Sequence, residues 1–197
     1  MVMVGVAGHR FLADIDKIEK GVGQALDRIV AAFPEQSLKV VSSLTEGADR
    51  IVVHQILARP RAELAAVLPL PRSDYMKDFE LDESKREFQG LLERASQIVE
   101  LPAAGTREEA YEGAGRYMLD HCDMLVAVWD GHDAQGQGGT GDLVNEARKR
   151  GLPVAWVHAG NRKPRTNEPT TLGDDQGKVS FERFPHREAP IEGKRGA

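Results

Sequence analysis

The residues with most chemistry to offer cluster at four turns: Gly8-His9-Arg10, Ser43 to Asp49, Pro69 to Tyr75, and Asp130 to Asp142. The last carries five glycines from Gly131 to Gly141, among them Gly138 and Gly139, followed by Thr140 and a helix start at Asp142. Free backbone N–H groups and the positive end of a helix dipole attract an anion, and glycine lets a phosphate approach the backbone. Gly47, just ahead of Ala48, marks a second such helix start, with Ser43 in the loop before it. Carboxylates at Glu46 and Asp130 suit a ribose, because each can accept two hydrogen bonds from a vicinal diol. Asp74 and Tyr75 share a polar segment at the same edge, where the Tyr75 ring could stack on a base. Asp142 and Glu146 stand one helical turn apart, about 6 Å along the axis. They could form a pair for acid–base work, while Arg150, four positions past Glu146, offers it an ordinary ion pair instead.

These turns need a scaffold, and the apolar pattern supplies one. Short apolar runs at 1–7, 38–42, 64–68, 98–101, 124–129 and 154–158 read as strands. Residues 124–129 form a continuous apolar run, as in a strand buried on both faces. Between the runs, Ile15, Ile18, Val22, Leu26, Ile29 and Phe33 recur every three or four residues, with Asp14 placed to cap the helix and Pro34 to end it. Ile51, Val52, Val53, Ile56 and Leu57 mark a second helix, and Phe88, Leu91 and Leu92 a third. Thr106 with Glu109 is a capping box opening a fourth, and residues 142–150 form a fifth that stops at Gly151. Strand and helix alternate five times, which predicts an α/β, Rossmann-like open sheet: mainly parallel, about six strands, helices on both faces. In such a sheet all four turns follow parallel strands and meet at one edge, where ligands bind. The domain is expected over 1–159. From Gly160 the periodicity ends, so 160–197 reads as an irregular tail whose Phe181 and Phe184 could dock on the body or on a second copy.

Composition narrows the function. Lys and Arg number 26 against 31 Asp and Glu, a net charge of −5, which gives no global field to hold a polyanion. Nucleic acid is therefore not expected as a partner. The single cysteine, Cys122, suits a reducing cytoplasm, and the first apolar run is too short for a membrane span. Gly136 to Gly141 spells G-x-G-x-x-G but lies far from the first strand, and the position about 20 residues on, where a ribose-binding acid belongs, falls in the tail. Neither a Walker A sequence nor a G-x-S-x-G elbow occurs. The six histidines, at 9, 54, 121, 132, 158 and 186, show no metal-ligand spacing. Asp130, His132 and Asp133 read as turn chemistry rather than a cation site. No metal and no cofactor is called for.

Gly5-Val6-Ala7-Gly8-His9-Arg10, Ser43-Leu44-Thr45-Glu46-Gly47-Ala48-Asp49, Leu68-Pro69-Leu70-Pro71, and Trp129-Asp130-Gly131 with Gly138-Gly139-Thr140 together resemble the SLOG superfamily of Rossmann-like proteins. That group joins DNA-processing Smf proteins, Lonely Guy phosphoribohydrolases and stand-alone nucleotide-sensing domains. Ser43 to Asp49 is similar to the Smf pattern S-G-x-A-x-G-I-D, with Leu44 for the glycine and Thr45 for the alanine. Gly139-Thr140 matches the G-T of the Lonely Guy pattern P-G-G-x-G-T-x-E-E. That alignment sets Asp142 on the first, catalytic glutamate and Leu143 on the second, and the leading proline is absent. The resemblance implies phosphate binding at Gly138-Gly139-Thr140, with further contacts from Gly8-His9-Arg10 or the Gly47 helix start.

The expected function is thus binding of a nucleotide or nucleotide-derived small molecule, as a sensor or carrier. The alternative is a hydrolase that cleaves the N-glycosidic bond of a nucleoside 5′-monophosphate with Asp142 and Glu146.

Overall fold

The computed structural model describes residues 1–102, 105–132 and 139–185. Seven strands form one sheet: β1 (Val2–Gly8), β2 (Leu38–Ser42), β3 (Glu63–Leu68), β4 (Gln97–Glu100), β5 (Met124–Trp129), β6 (Val154–His158) and β7 (Val179–Glu182). Their spatial order is β4-β3-β2-β1-β5-β6-β7, parallel throughout except for β7, which runs antiparallel to β6. The helices are α1 (Ile15–Ala32), α2 (Ala48–Leu57), α3 (Arg72–Tyr75), α4 (Asp82–Arg94), α5 (Arg107–Asp120) and α6 (Thr140–Lys149). The mainly parallel, Rossmann-like α/β sheet expected from the pattern is therefore the one observed. None of the helices described is long and apolar enough to cross a membrane.

All six residues of β5 are buried, and its alternation divides the core. Met124, Val126 and Val128 join the layer under α1, α2 and α4, while Leu125, Ala127 and Trp129 join the layer under α5 and α6. Thr106 caps α5 through the expected box: its hydroxyl accepts from Glu109 N–H at 3.1 Å, and Glu109 accepts from Thr106 N–H at 2.9 Å.

Three local expectations change. Asp14 precedes α1 in a left-handed conformation (φ 50°) and makes no side-chain cap; its carboxylate meets Lys17 instead, at 3.3 Å. The segment after Gly160 is not irregular throughout, since Val179–Glu182 pairs with β6 and Phe184 is buried. Four residues are too few for strand periodicity to show in sequence. The polar segment at Ser73 is a single helical turn, α3, whose Tyr75 is fully buried.

The topology fixes where a ligand can enter. From β1 the chain winds outward through β2, β3 and β4, then returns to β5 on the other side of β1. The crevice beyond the carboxyl ends of β1 and β5 is thus the switch point at which open α/β sheets bind ligands.

Candidate functional site at the β1/β5 switch point

At this crevice Gly8 ends β1 beside β5, and His9 N–H donates to Val128 O at 3.0 Å. A side chain at Gly8 would have its Cβ 2.3 Å from the Ala48 methyl and 2.6 Å from Val128 O. Only glycine therefore lets β1, β5 and α2 close this tightly. The start of α6 lies opposite, with Gly139 at its N-cap in extended conformation (φ −69°, ψ 167°). Gly139 O accepts from Asp142 and Leu143 N–H, whereas the first N–H groups of any helix have no acceptor within it. Two adjoining cavities share Gly8, Gly139 and Thr140. One, of about 320 Å³, is completed by His9, Arg10, Trp129, Asp130, His132 and Asn161. The other, of about 180 Å³, is completed by residues such as Ser43, Thr45, Asp49 and Tyr111.

The charged groups of the first cavity are largely held by one another. His9 Nε2 lies 3.4 Å from Asp130 Oδ1, too poorly aligned for a hydrogen bond, and this buried nitrogen has no other partner among the described residues. Burial lowers the His9 pKa, against the pull of Asp130, so the ring is neutral at pH 7. On its other side Asn161 Nδ2 approaches His9 Nδ1 at 3.3 Å. Asp130 also accepts from His132 N–H at 3.1 Å and lies 3.4 Å from the His132 ring.

Other expected site residues go elsewhere. The Tyr75 ring, expected to stack on a base, is enclosed by edge-on contacts with Phe79, Phe88 and Tyr111 at 5.1 to 5.9 Å. Its hydroxyl donates to Ser43 O and meets the Thr45 hydroxyl, both at 3.0 Å. It has no exposed face, and its role is to pin the Ser43–Thr45 turn. Glu46, expected on a ribose, is bound by the Arg10 guanidinium and the Ser84 hydroxyl. Burial alone would raise its pKa, but hydrogen bonds from Ser84 and Arg10 and the charges of Arg10 and Arg50 bring it below the usual value. With Gly47 it faces a separate, open hollow of about 810 Å³ between α1, α2 and α4. Gly47 (φ 80°) brings the start of α2 against the β1 turn, where Ala48 N–H donates to His9 O at 3.1 Å. A Cβ there would sit 2.2 Å from Arg10 O. The first N–H of that helix is consequently taken by the protein's own backbone.

Arg10 is equally occupied, by Glu46 and by Asp78 O. Asp74 binds Lys77 at 3.0 Å and Arg107 at 3.2 Å, which ties α3 to the start of α5, and the hydrogen bond from Lys77 lowers its pKa. Glu146 accepts from Arg150 Nε at 2.8 Å, at the far end of α6 from the crevice. Asp142 is exposed in the first turn of α6. Gly138 and Asp133 lie outside the described residues. Sequence reasoning missed Asn161, which follows β6 in a stretch without periodicity, and Tyr111, which lies within α5; Asp49 was within the Ser43–Asp49 turn but was given no role in the site.

No family model and no curated protein matches this chain. Among solved structures it is similar to the X-ray structure of DNA processing protein A (DprA) from Streptococcus pneumoniae, with a TM-score of 0.55 and 15% identity over 85% of this chain and 53% of that one. The chain thus spans about half the length of the structure it matches. At this identity the likeness concerns the fold alone, a Rossmann-like α/β sheet. It also corrects one expectation. A Rossmann-like fold of this kind occurs in a DNA processing protein, so the exclusion of nucleic acid from net charge does not stand. Net charge is a sum over the whole surface, whereas phosphate contacts depend on local cations.

Proposed function

We propose that the crevice between β1, β5 and the start of α6 binds a nucleotide or nucleotide-derived ligand through its phosphate. The observation that carries this reading is the juxtaposition of the Gly139-Thr140 helix start with Gly8 and with His9 Nε2, which makes no hydrogen bond among the described residues, around one cavity. The phosphate takes the free N–H groups of α6, His9 supplies a neutral ring nitrogen, and Asp130 stands beside it for a ribose hydroxyl. The Gly8-His9-Arg10 contact is then made by His9 and the turn backbone, not by the Arg10 side chain.

The test is calorimetry with the common nucleoside mono- and diphosphates on wild-type protein and Gly139→Val. A branched side chain at the helix start blocks backbone approach, so affinity should fall at least tenfold, about 1.4 kcal/mol. The free protein should change stability by no more than about 0.5 kcal/mol. Unchanged affinity in the variant removes this loop from the site.

One observation favours a second reading, a single nucleic-acid strand. In the segment that follows Asn161 of the crevice, exposed Arg162 and Arg165 have no acidic partner among the described residues. A strand would show steeply salt-dependent binding of an oligonucleotide, weakened uniformly by Arg162→Ala with Arg165→Ala.

A further inference from the structure

Phe11 is 55% exposed, although it directly follows two residues of the crevice. Its backbone is held in place. Its carbonyl accepts from Arg162 N–H at 3.0 Å, and the next residue, Leu12, is buried and bridges to Asn161. The Arg10 guanidinium lies 5.4 Å from the centre of its ring and is itself anchored by Glu46 and Asp78 O. A single exposed apolar residue is ordinary on a protein surface. An exposed aromatic ring on a fixed backbone, flanked by one guanidinium and following directly in the chain on His9 and Arg10 of the crevice, is the arrangement on which nucleobases stack.

We infer that Phe11 is the base-stacking platform of the crevice, taking the place that sequence alone suggested for Tyr75. The inference rests on the proposed phosphate site and deepens it: the ligand carries a flat heteroaromatic base. That base stacks on the Phe11 ring while its phosphate lies on the α6 start. A free nucleotide and the end of a single strand present the same base.

The experiment compares wild type, Phe11→Ala and Phe11→Trp. The probes are the common nucleoside 5′-monophosphates, ribose 5-phosphate and a short oligodeoxythymidylate. Phe11→Ala should weaken base-bearing probes by about 5- to 100-fold and leave ribose 5-phosphate unchanged. Phe11→Trp should keep affinity for them, with its indole fluorescence quenched on binding. A marked preference for the oligonucleotide identifies a strand, and a preference for one monophosphate identifies a free nucleotide. Full affinity of Phe11→Ala for a base-bearing probe that wild type binds overturns the platform and leaves the phosphate site standing. An equal loss for ribose 5-phosphate also overturns it, because the variant then acts on the whole crevice. If wild type binds no probe, the platform and the phosphate site fall together.

Discussion

The turn after β2 and the turn after β5 are made of similar parts, a strand end, small residues and a helix start, and they serve opposite ends. After β2 the polar groups face inward. Ser42 Oγ donates to Asp49 at 2.8 Å and accepts from Leu44 N–H at 2.9 Å. Asp49 also accepts from the backbone N–H groups of Thr45 and Ser43. Arg50, only 4% exposed, reaches Leu44 O, Ser84 and Glu87 at 2.7 to 3.1 Å and lies over the Phe79 ring at 4.7 Å. After β5 the helix start borders a cavity instead. The difference follows from topology: β2 continues the outward run from β1 to β4, whereas β5 pairs with β1 where the strand order reverses. Helix starts of like composition become a brace or the border of an open cavity according to which strand precedes them.

The widest gap between the two turns should appear in stability. Arg50→Ala removes the guanidinium that joins the β2 turn to α4 and leaves Leu44 O and Glu87 without it. It should cost about 3 to 5 kcal/mol, the usual loss when a buried charged network is broken. Urea denaturation measures this against the near-neutral Gly139→Val. A cost below about 1 kcal/mol for Arg50→Ala would mean that the brace is not one.

A smaller, pH-dependent difference should come from Asp49. Burial pushes its carboxyl up to about 6, against hydrogen bonds from Ser42, Thr45 and Ser43 and the charge of Arg50. A folded-state value above the unfolded 3.8 means that the native protein binds the proton more tightly. The associated stability is present at low pH and is lost as pH rises from about 4 through 6, by up to about 3 kcal/mol. Asp49→Asn cannot titrate, so its denaturation midpoint should lack this component of the pH dependence. Parallel curves for wild type and Asp49→Asn between pH 4 and 7 would place the ionised carboxylate in the native state throughout.

How much of this was legible in sequence differs between the two turns. The β5 segment could be read because a six-residue apolar run followed by clustered glycines carries its own signal. The Thr106 box and the Glu146–Arg150 spacing are equally local. The brace after β2 was not legible, because its partners come from afar: Ser84 and Glu87 from α4, and Tyr75 with an aromatic cluster spread from Phe79 to Tyr111. One clue was present. Leu44 stands where the Smf pattern has glycine, and its φ is 60°, a conformation that costs a side-chain residue about 1 to 2 kcal/mol. The complete burial of Leu44 offsets that cost, and no local rule announces burial. Asn161 and Phe11 were missed for a related reason: they take part in the loop contact between the ends of β1 and β6, far apart in the chain.

The smallest effect is expected from Glu146, and it bears on whether the β5 turn does chemistry. Cleaving an N-glycosidic bond develops positive charge at the sugar, which needs a carboxylate beside the anomeric carbon and a second group to handle water or leaving group. Asp142 is placed in the first turn of α6, near the crevice. Glu146 is not so placed: its carboxylate is bound by Arg150, which also binds Asp120 at the end of α5, and the Arg150 hydrogen bond holds its pKa below the usual value. A carboxylate held as an ion pair on the outer surface is a poor general acid at neutral pH. Glu146→Gln should therefore leave nucleotide affinity unchanged and barely move the denaturation midpoint, as for an exposed pair one helical turn apart. Incubation with nucleoside 5′-monophosphates should release no ribose 5-phosphate at an enzymatic rate. Release with an ordinary kcat, abolished by Asp142→Asn or Glu146→Gln while binding persists, would make the β5 turn an active site rather than the proposed binding site.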